Sequence, residues 1–125
     1  MADKRIEDYK DLIVWKRSME LAAAAYTIAR KLPKIETFAL ADQMRRSAIS
    51  IPSNIAEGYG RTTPKEYARF LSIARGSVYE LETQLLLCSQ LQYLDSSELS
   101  TALGLSNEII RMLNVIIPKV STGLS

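Results

Sequence analysis

The chain contains no histidine. That absence removes the Ser-His-Asp triad, the Cys-His pair and every metal motif built on an imidazole. It also removes the Glu-x-x-His pairs with which helical bundles hold two metal ions. The single cysteine, Cys88, follows Leu85-Leu86-Leu87. It has no partner for an internal disulfide, and a buried structural thiol is the expectation. There is no Walker loop, and Gly58-Tyr59-Gly60 is too short to cradle a phosphate. No apolar run approaches the ~20 residues that span a bilayer, and no N-terminal apolar segment suggests export. A cytoplasmic protein with no membrane contact is therefore expected. Strand signals, internal repeats and low-complexity segments are also lacking. Carboxylates remain as candidates for acid–base work, but Glu80 and Glu82 point to different faces of one helix. Solvated or salt-bridged surface is the stronger reading for both. No catalytic residue, metal site or cofactor follows, and the chain is not expected to be an enzyme.

What is present describes an all-α chain. Its 125 residues, 47% of them hydrophobic, suit one domain with a sizeable core. The charged residues 1–8 read as a frayed arm, so the domain fills 1–125 with its core at about 8–120. Helix one starts near Asp8 to Asp11 and runs to Leu32, where Pro33 stops it. Leu12, Trp15, Met19, Ala22, Tyr26 and Ala29 recur at steps of three and four and predict its bundle seam. Leu21, Ala25, Ile28 and Leu32 form a second stripe. Thr37 is the expected cap of helix two.

Helix two carries Leu40, Met44, Ala48, Ile51, Ile55 and Tyr59 on one side. Arg46, Ser50, Ser53, Glu57 and Arg61 fall opposite, at about 100° per residue. Pro52 deprives the carbonyl of Ala48 of its partner and predicts a kink, at a cost of roughly 3 kcal/mol. The Ser50 and Ser53 hydroxyls are candidates to serve the disturbed backbone. Gly58 and Gly60 offer left-handed conformations to end the helix.

Thr63-Pro64-Lys65-Glu66 predicts a capping box and opens helix three, which runs to about Leu91. Tyr67, Phe70, Leu71, Ala74, Val78, Leu81, Leu85 and Cys88 share its core face. Ser72, Arg75, Tyr79, Glu82 and Leu86 make a mixed face of the kind interfaces use. Asp95 and Glu98 cap helix four, which should stop near Ile117 before Pro118 and carries Gly104 as a weak point. Short connections favour antiparallel neighbours, hence an antiparallel up-down-up-down four-helix bundle with helix two kinked at its proline. Ile73, Leu86, Leu87 and the second stripe of helix one are more apolar surface than one bundle needs, which predicts a homo-oligomer.

The net charge of +2 is too small to announce nucleic-acid binding. Its distribution is more informative, with a basic middle and an acidic last part. Arg45, Arg46, Arg61, Lys65 and Arg69 are the candidate nucleic-acid-binding residues, since arginine forks hold phosphate oxygens. Tyr59 or Tyr67 would offer a stacking face. Ser50, Ser53, Asn54, Glu57, Arg75 and Glu82 are the candidate interface or polar cluster. The competing reading is an ordinary charged surface, or Arg46 and Arg75 paired with Glu57 and Glu82 inside an assembly.

Several runs carry a resemblance. They are Asp11-Leu12-Ile13-Val14-Trp15, Gln43-Met44-Arg45-Arg46-Ser47-Ala48 and Ser50-Ile51-Pro52-Ser53-Asn54-Ile55-Ala56-Glu57-Gly58. Helix three adds Phe70-Leu71-Ser72-Ile73-Ala74-Arg75-Gly76-Ser77 and Glu80-Leu81-Glu82-Thr83-Gln84-Leu85. Together they resemble the four-helix-bundle proteins encoded in intervening sequences of bacterial 23S ribosomal RNA genes. The resemblance implies a bacterial bundle assembled as a homopentameric ring with a central channel. The family is similar to the accessory variability proteins of diversity-generating retroelements, which bind a reverse transcriptase and nucleic acid through a basic surface. No functional residue is carried over from it. The expected function is a non-enzymatic oligomeric accessory protein that binds nucleic acid, RNA ahead of DNA, through its basic surface. The alternative is an oligomeric protein–protein interaction scaffold that touches nucleic acid only through a protein partner.

Overall fold

The computed structural model describes residues 5–123. The described residues form four helices, α1 (Ile13–Arg30), α2 (Leu40–Tyr59), α3 (Pro64–Gln90) and α4 (Ser96–Ser121), with 3-10 turns at Tyr9–Asp11 and Lys34–Glu36. No strand occurs among the described residues, and none of the helices is long and apolar enough to cross a membrane. Each helix packs against two others, in the cyclic order α1, α2, α3, α4. Across α2–α3 and across α1–α4, the contacting residue numbers rise on one side as they fall on the other. Met44 meets Cys88, Ser50 meets Ser77 and Gly58 faces Phe70, while Arg17 reaches Glu108 and Lys31 reaches Glu98.

The core of α2 and α3 follows the expected faces. Met44, Ala48, Ile51, Ile55, Leu71, Val78, Leu81, Leu85 and Cys88 are all fully buried. In α1 the expectation is corrected. Its buried residues are Val14, Ser18, Leu21, Ala25, Ile28 and Ala29: Leu21, Ala25 and Ile28 come from the second stripe and Ala29 from the expected seam, whose Met19 is 47% exposed. Ser18 explains the difference. It is fully buried and donates its hydroxyl to the Val14 carbonyl at 2.7 Å, so a polar residue sits satisfied in an apolar seam. A count of apolar residues passes over that position. Ser106 in α4 does the same with the Ala102 carbonyl.

Helix ends follow local chemistry, with five corrections. Helix α1 starts at Ile13 rather than near Asp8 to Asp11, because Asp8 caps a 3-10 turn and Leu12 is extended after it. Thr37 caps nothing in α2. The Glu36 carboxylate accepts the Leu40 N–H at 3.3 Å and also holds the Tyr93 hydroxyl at 2.7 Å, tying the α1–α2 connection to the α3–α4 turn. Gly58 and Gly60 are not left-handed. Gly60 has φ −81°, and Gly58 is a buried helical residue whose missing side chain lets α2 and α3 approach. Thr63 caps α3 by accepting the Glu66 N–H, but the Glu66 carboxylate turns to Arg69, so only half of the capping box forms. Pro118 does not stop α4, which runs on to Ser121. Its ring costs one hydrogen bond near a helix end, and the Pro118 carbonyl is taken up by the Thr122 N–H. The full capping box of Asp95 and Glu98 forms as expected. Helix α2 continues through the buried Pro52.

Candidate nucleic-acid interface

The five basic candidates fall into two groups. Arg45 and Arg46 lie in the first half of α2. Arg61 follows its end, and Lys65 and Arg69 occupy the first two turns of α3. From Arg45 to the end of α2 the rise of 1.5 Å per residue gives a separation of about 20 Å. The chain therefore does not gather them into one patch.

In the first group two guanidiniums share one carboxylate. Arg46 Nε donates to the Asp42 carboxylate at 2.9 Å, and Arg45 approaches the same carboxylate at 3.8 Å while donating to the Thr37 carbonyl at 3.1 Å. Gln43, Arg46, Ser47, Ser50 and Glu80 line a small groove of about 160 Å³ there, so a second carboxylate stands beside Arg46.

The second group is built differently. The guanidiniums of Arg61 and Arg69 both lie over the ring of Phe70, 4.6 Å and 4.7 Å from its centroid. They are thus no further apart than those two distances together. Phe70 is only 8% exposed and rests on the Gly58 backbone. A cation over such a ring gains roughly 0.5–1 kcal/mol at an exposed site, which holds two long side chains in a defined place. Arg61 also pairs with Glu57 at 2.6 Å and Arg69 with Glu66 at 3.4 Å; all four side chains are well exposed. Lys65 is exposed and has no ion pair among the described residues. Beside them Tyr59 and Tyr67 meet edge to face at 5.9 Å. With Arg61, Thr62, Thr63 and Pro64, and with Val120 and Gly123 from the end of α4, they line a cavity of about 300 Å³. Burial, and then the neighbouring Tyr59, push the Tyr67 hydroxyl above its usual titration range, so it stays neutral.

The polar cluster divides as well. Ser50 and Ser77 share a hydrogen bond at 2.8 Å across α2 and α3, and the Asn54 amide donates to both the Ser50 carbonyl and hydroxyl. The Ser50 hydroxyl thus serves α3 rather than the backbone freed by Pro52. Ser53 is exposed. Arg75 donates to Asn114 of α4 at 2.7 Å, and Glu82 is half-buried without an ion pair among the described residues. Within one chain, then, Arg46 and Arg75 are not paired with Glu57 and Glu82. Further along α3 the buried Gln84 Oε1 has no hydrogen-bond partner among the described residues. Among the described residues no group of three or more His, Cys, Asp or Glu could hold a metal ion. The Cys88 thiol is buried against Met44 and is raised above its usual range by that burial.

The platform role of Phe70, the packing role of Gly58 and the partners Ser77 and Asn114 were not visible in the sequence. Each depends on a contact between helices, and no local spacing signals it.

The family described as 23S rRNA-intervening sequence protein matches residues 10–115, most of the chain and all the basic candidates. A crystal structure from Bacteroides thetaiotaomicron, described as a protein with unknown function from the S23 ribosomal protein family, is similar at TM-score 0.78 and 26% identity. The similarity covers 84% of this chain and 98% of that one. No curated protein matches the chain.

Proposed function

As the chain belongs to the 23S rRNA-intervening sequence protein family, we propose that it is a non-enzymatic accessory protein that holds RNA on a basic surface as an oligomer of identical chains. The observation that carries this is the corner between α2 and α3, where Arg61 and Arg69 both lie over the Phe70 ring and Lys65 adds a third cation. The carboxylates of Glu57 and Glu66 do not block the site. Exposed ion pairs are worth roughly 0–1 kcal/mol, so the guanidiniums can exchange them for phosphate oxygens at little cost. The family's description supports RNA ahead of DNA.

The scaffold in this reading is an antiparallel up-down-up-down bundle with α2 bent at Pro52. The opposed numbering across α2–α3 and α1–α4 supports the first, and the backbone bond that Pro52 cannot make supports the second. Self-assembly is supported by the exposed apolar side chains of Ile73, Tyr79, Leu86 and Leu87 on α3. A ring of five, as the resemblance implies, would repeat the corner and add several weak phosphate contacts into useful affinity. The setting is the cytoplasm.

The test is alanine at Arg61, Lys65 and Arg69 together. RNA binding should be lost while the thermal transition stays cooperative; unchanged binding would remove these residues from the reading. A scaffold that meets RNA only through a protein partner is the second reading. It is favoured by one observation, that Arg45, Arg46, Arg61 and Arg69 each already face a carboxylate. It requires that the purified protein bind no RNA at low salt.

A further inference from the structure

We propose that the cavity at the α2–α3 corner receives one unstacked base of a single-stranded nucleic acid, with Arg61 and Arg69 holding the phosphates that flank it. This rests on the RNA reading above and adds to it the strand state of the ligand and the place where a base is read.

The cavity of about 300 Å³ is lined by Tyr59, Arg61, Thr62, Thr63, Pro64 and Tyr67 of the corner, and is closed on the α4 side by Val120 and Gly123. It lies at the small end of ligand pockets, which run from ~300 to 1,000 Å³. That admits one flat ring system and excludes a duplex. The walls offer a base aromatic surface for one face, since Tyr59 and Tyr67 meet edge to face, and hydroxyls for its edges. Thr63 spends its oxygen as acceptor for the Glu66 N–H and keeps its O–H to donate. The hydroxyl of Thr62 has no partner among the described residues. Arg61 belongs both to the cavity wall and to the stack on Phe70, so the base site and the phosphate site share a residue. Arg69 lies over the same ring.

Rigidity favours the corner as well. A flexible arginine loses side-chain entropy when it grips a phosphate. Here the stack on a nearly buried ring has already restricted two of them. The Arg45–Arg46 group has no such cavity; its groove is about half the size, lacks an aromatic wall and contains Glu80. A base in a duplex is paired and stacked, and cannot enter the slot without being unpaired. Discrimination between strands and duplexes therefore belongs to this corner, while general attraction to phosphate does not.

The experiment compares a short single strand of RNA, a duplex of equal length and a mononucleotide. Binding is measured for the wild-type protein, for Tyr59→Leu/Tyr67→Leu and for Tyr59→Phe/Tyr67→Phe. Loss of a stacking ring should weaken single-strand binding about tenfold and leave duplex binding unchanged. The phenylalanine pair should bind as wild type, and the mononucleotide should compete poorly. Because the leucine pair removes partly buried rings, the wild-type protein is also photo-crosslinked to a strand containing 4-thiouridine. Adducts are expected on Tyr59 or Tyr67. Equal losses on strand and duplex, no loss at all, or adducts confined to other residues would overturn the base site while the RNA reading stands. A mononucleotide that competes as well as the strand would replace the strand with a free nucleotide. Absence of binding to every probe by the wild-type protein would remove the RNA reading and this inference with it.

Discussion

An alanine at position 58 would place its Cβ 2.7 Å from the Cβ of Phe70 and 3.2 Å from the Tyr67 ring. The Phe70 Cβ cannot swing aside, so α2 and α3 must separate at the end where the arginine stack is built. Gly58→Ala should destabilise the protein by about 1–3 kcal/mol, as overpacked sites do, measured by urea unfolding. A change within 0.5 kcal/mol would show that the close approach is not needed. Gln92 is the opposite case. It follows α3 with φ 62°, while its own N–H and that of Tyr93 bond back to the carbonyls of Ser89 and Cys88. That is a glycine's place at a helix end, occupied by a side chain. Gln92→Gly should therefore raise stability by about 1 kcal/mol, read as a shift of the same unfolding midpoint.

Among the elements, α4 has the most complete local signal. The Asp95 carboxylate accepts from the Ser97 hydroxyl and from the Glu98 N–H, and these two bonds hold its proton affinity below the ordinary value of 3.8. A carboxylate depressed in the folded state stabilises above its unfolded pKa, and that contribution disappears as pH falls through the folded one. Asp95 should thus add stability at neutral pH and lose it on acidification below about pH 4. Asp95→Asn keeps a capping acceptor and should show a smaller fall in unfolding midpoint over that range. Equal falls in the two proteins would remove the cap from the acid response.

The order of the helices, the core faces of α2 and α3, and the caps at Thr63 and Asp95 were legible because each is local and periodic. The buried side of α1 was legible only in part, since Leu21, Ala25, Ile28 and Ala29 were named but divided between two stripes, and Ser18 interrupts the apolar count. The end of α4 was misplaced because a proline near a helix terminus costs too little to stop it. At the candidate site the residue types were legible and their grouping was not. Arg61 and Arg69 were named from charge, but only the fold brings both to Phe70 and parts them from Arg45 and Arg46.

At the scale of the whole molecule, the described surface leaves Ile73, Tyr79, Leu86 and Leu87 at least 40% exposed on one helix. Surface of this kind is usually covered in the working assembly. Sedimentation at micromolar concentration should give a species several times the 14.0 kDa of one chain. Leu86→Glu with Leu87→Glu should shift it towards the monomer without loss of helix content. A wild-type monomer would remove self-assembly from the account.

The central claim is that this assembly contacts RNA directly through the α2–α3 corner. The most direct test is equilibrium binding of purified wild-type protein to a single-stranded RNA across a salt series, beside Arg61→Ala/Lys65→Ala/Arg69→Ala. Each phosphate contact adds about 0.7 to the magnitude of the logarithmic salt slope for single strands. The account predicts wild-type affinity that falls steeply with salt, and a triple variant with weaker binding and a shallower slope. No binding by the wild-type protein at low salt would contradict it and leave the scaffold reading in its place.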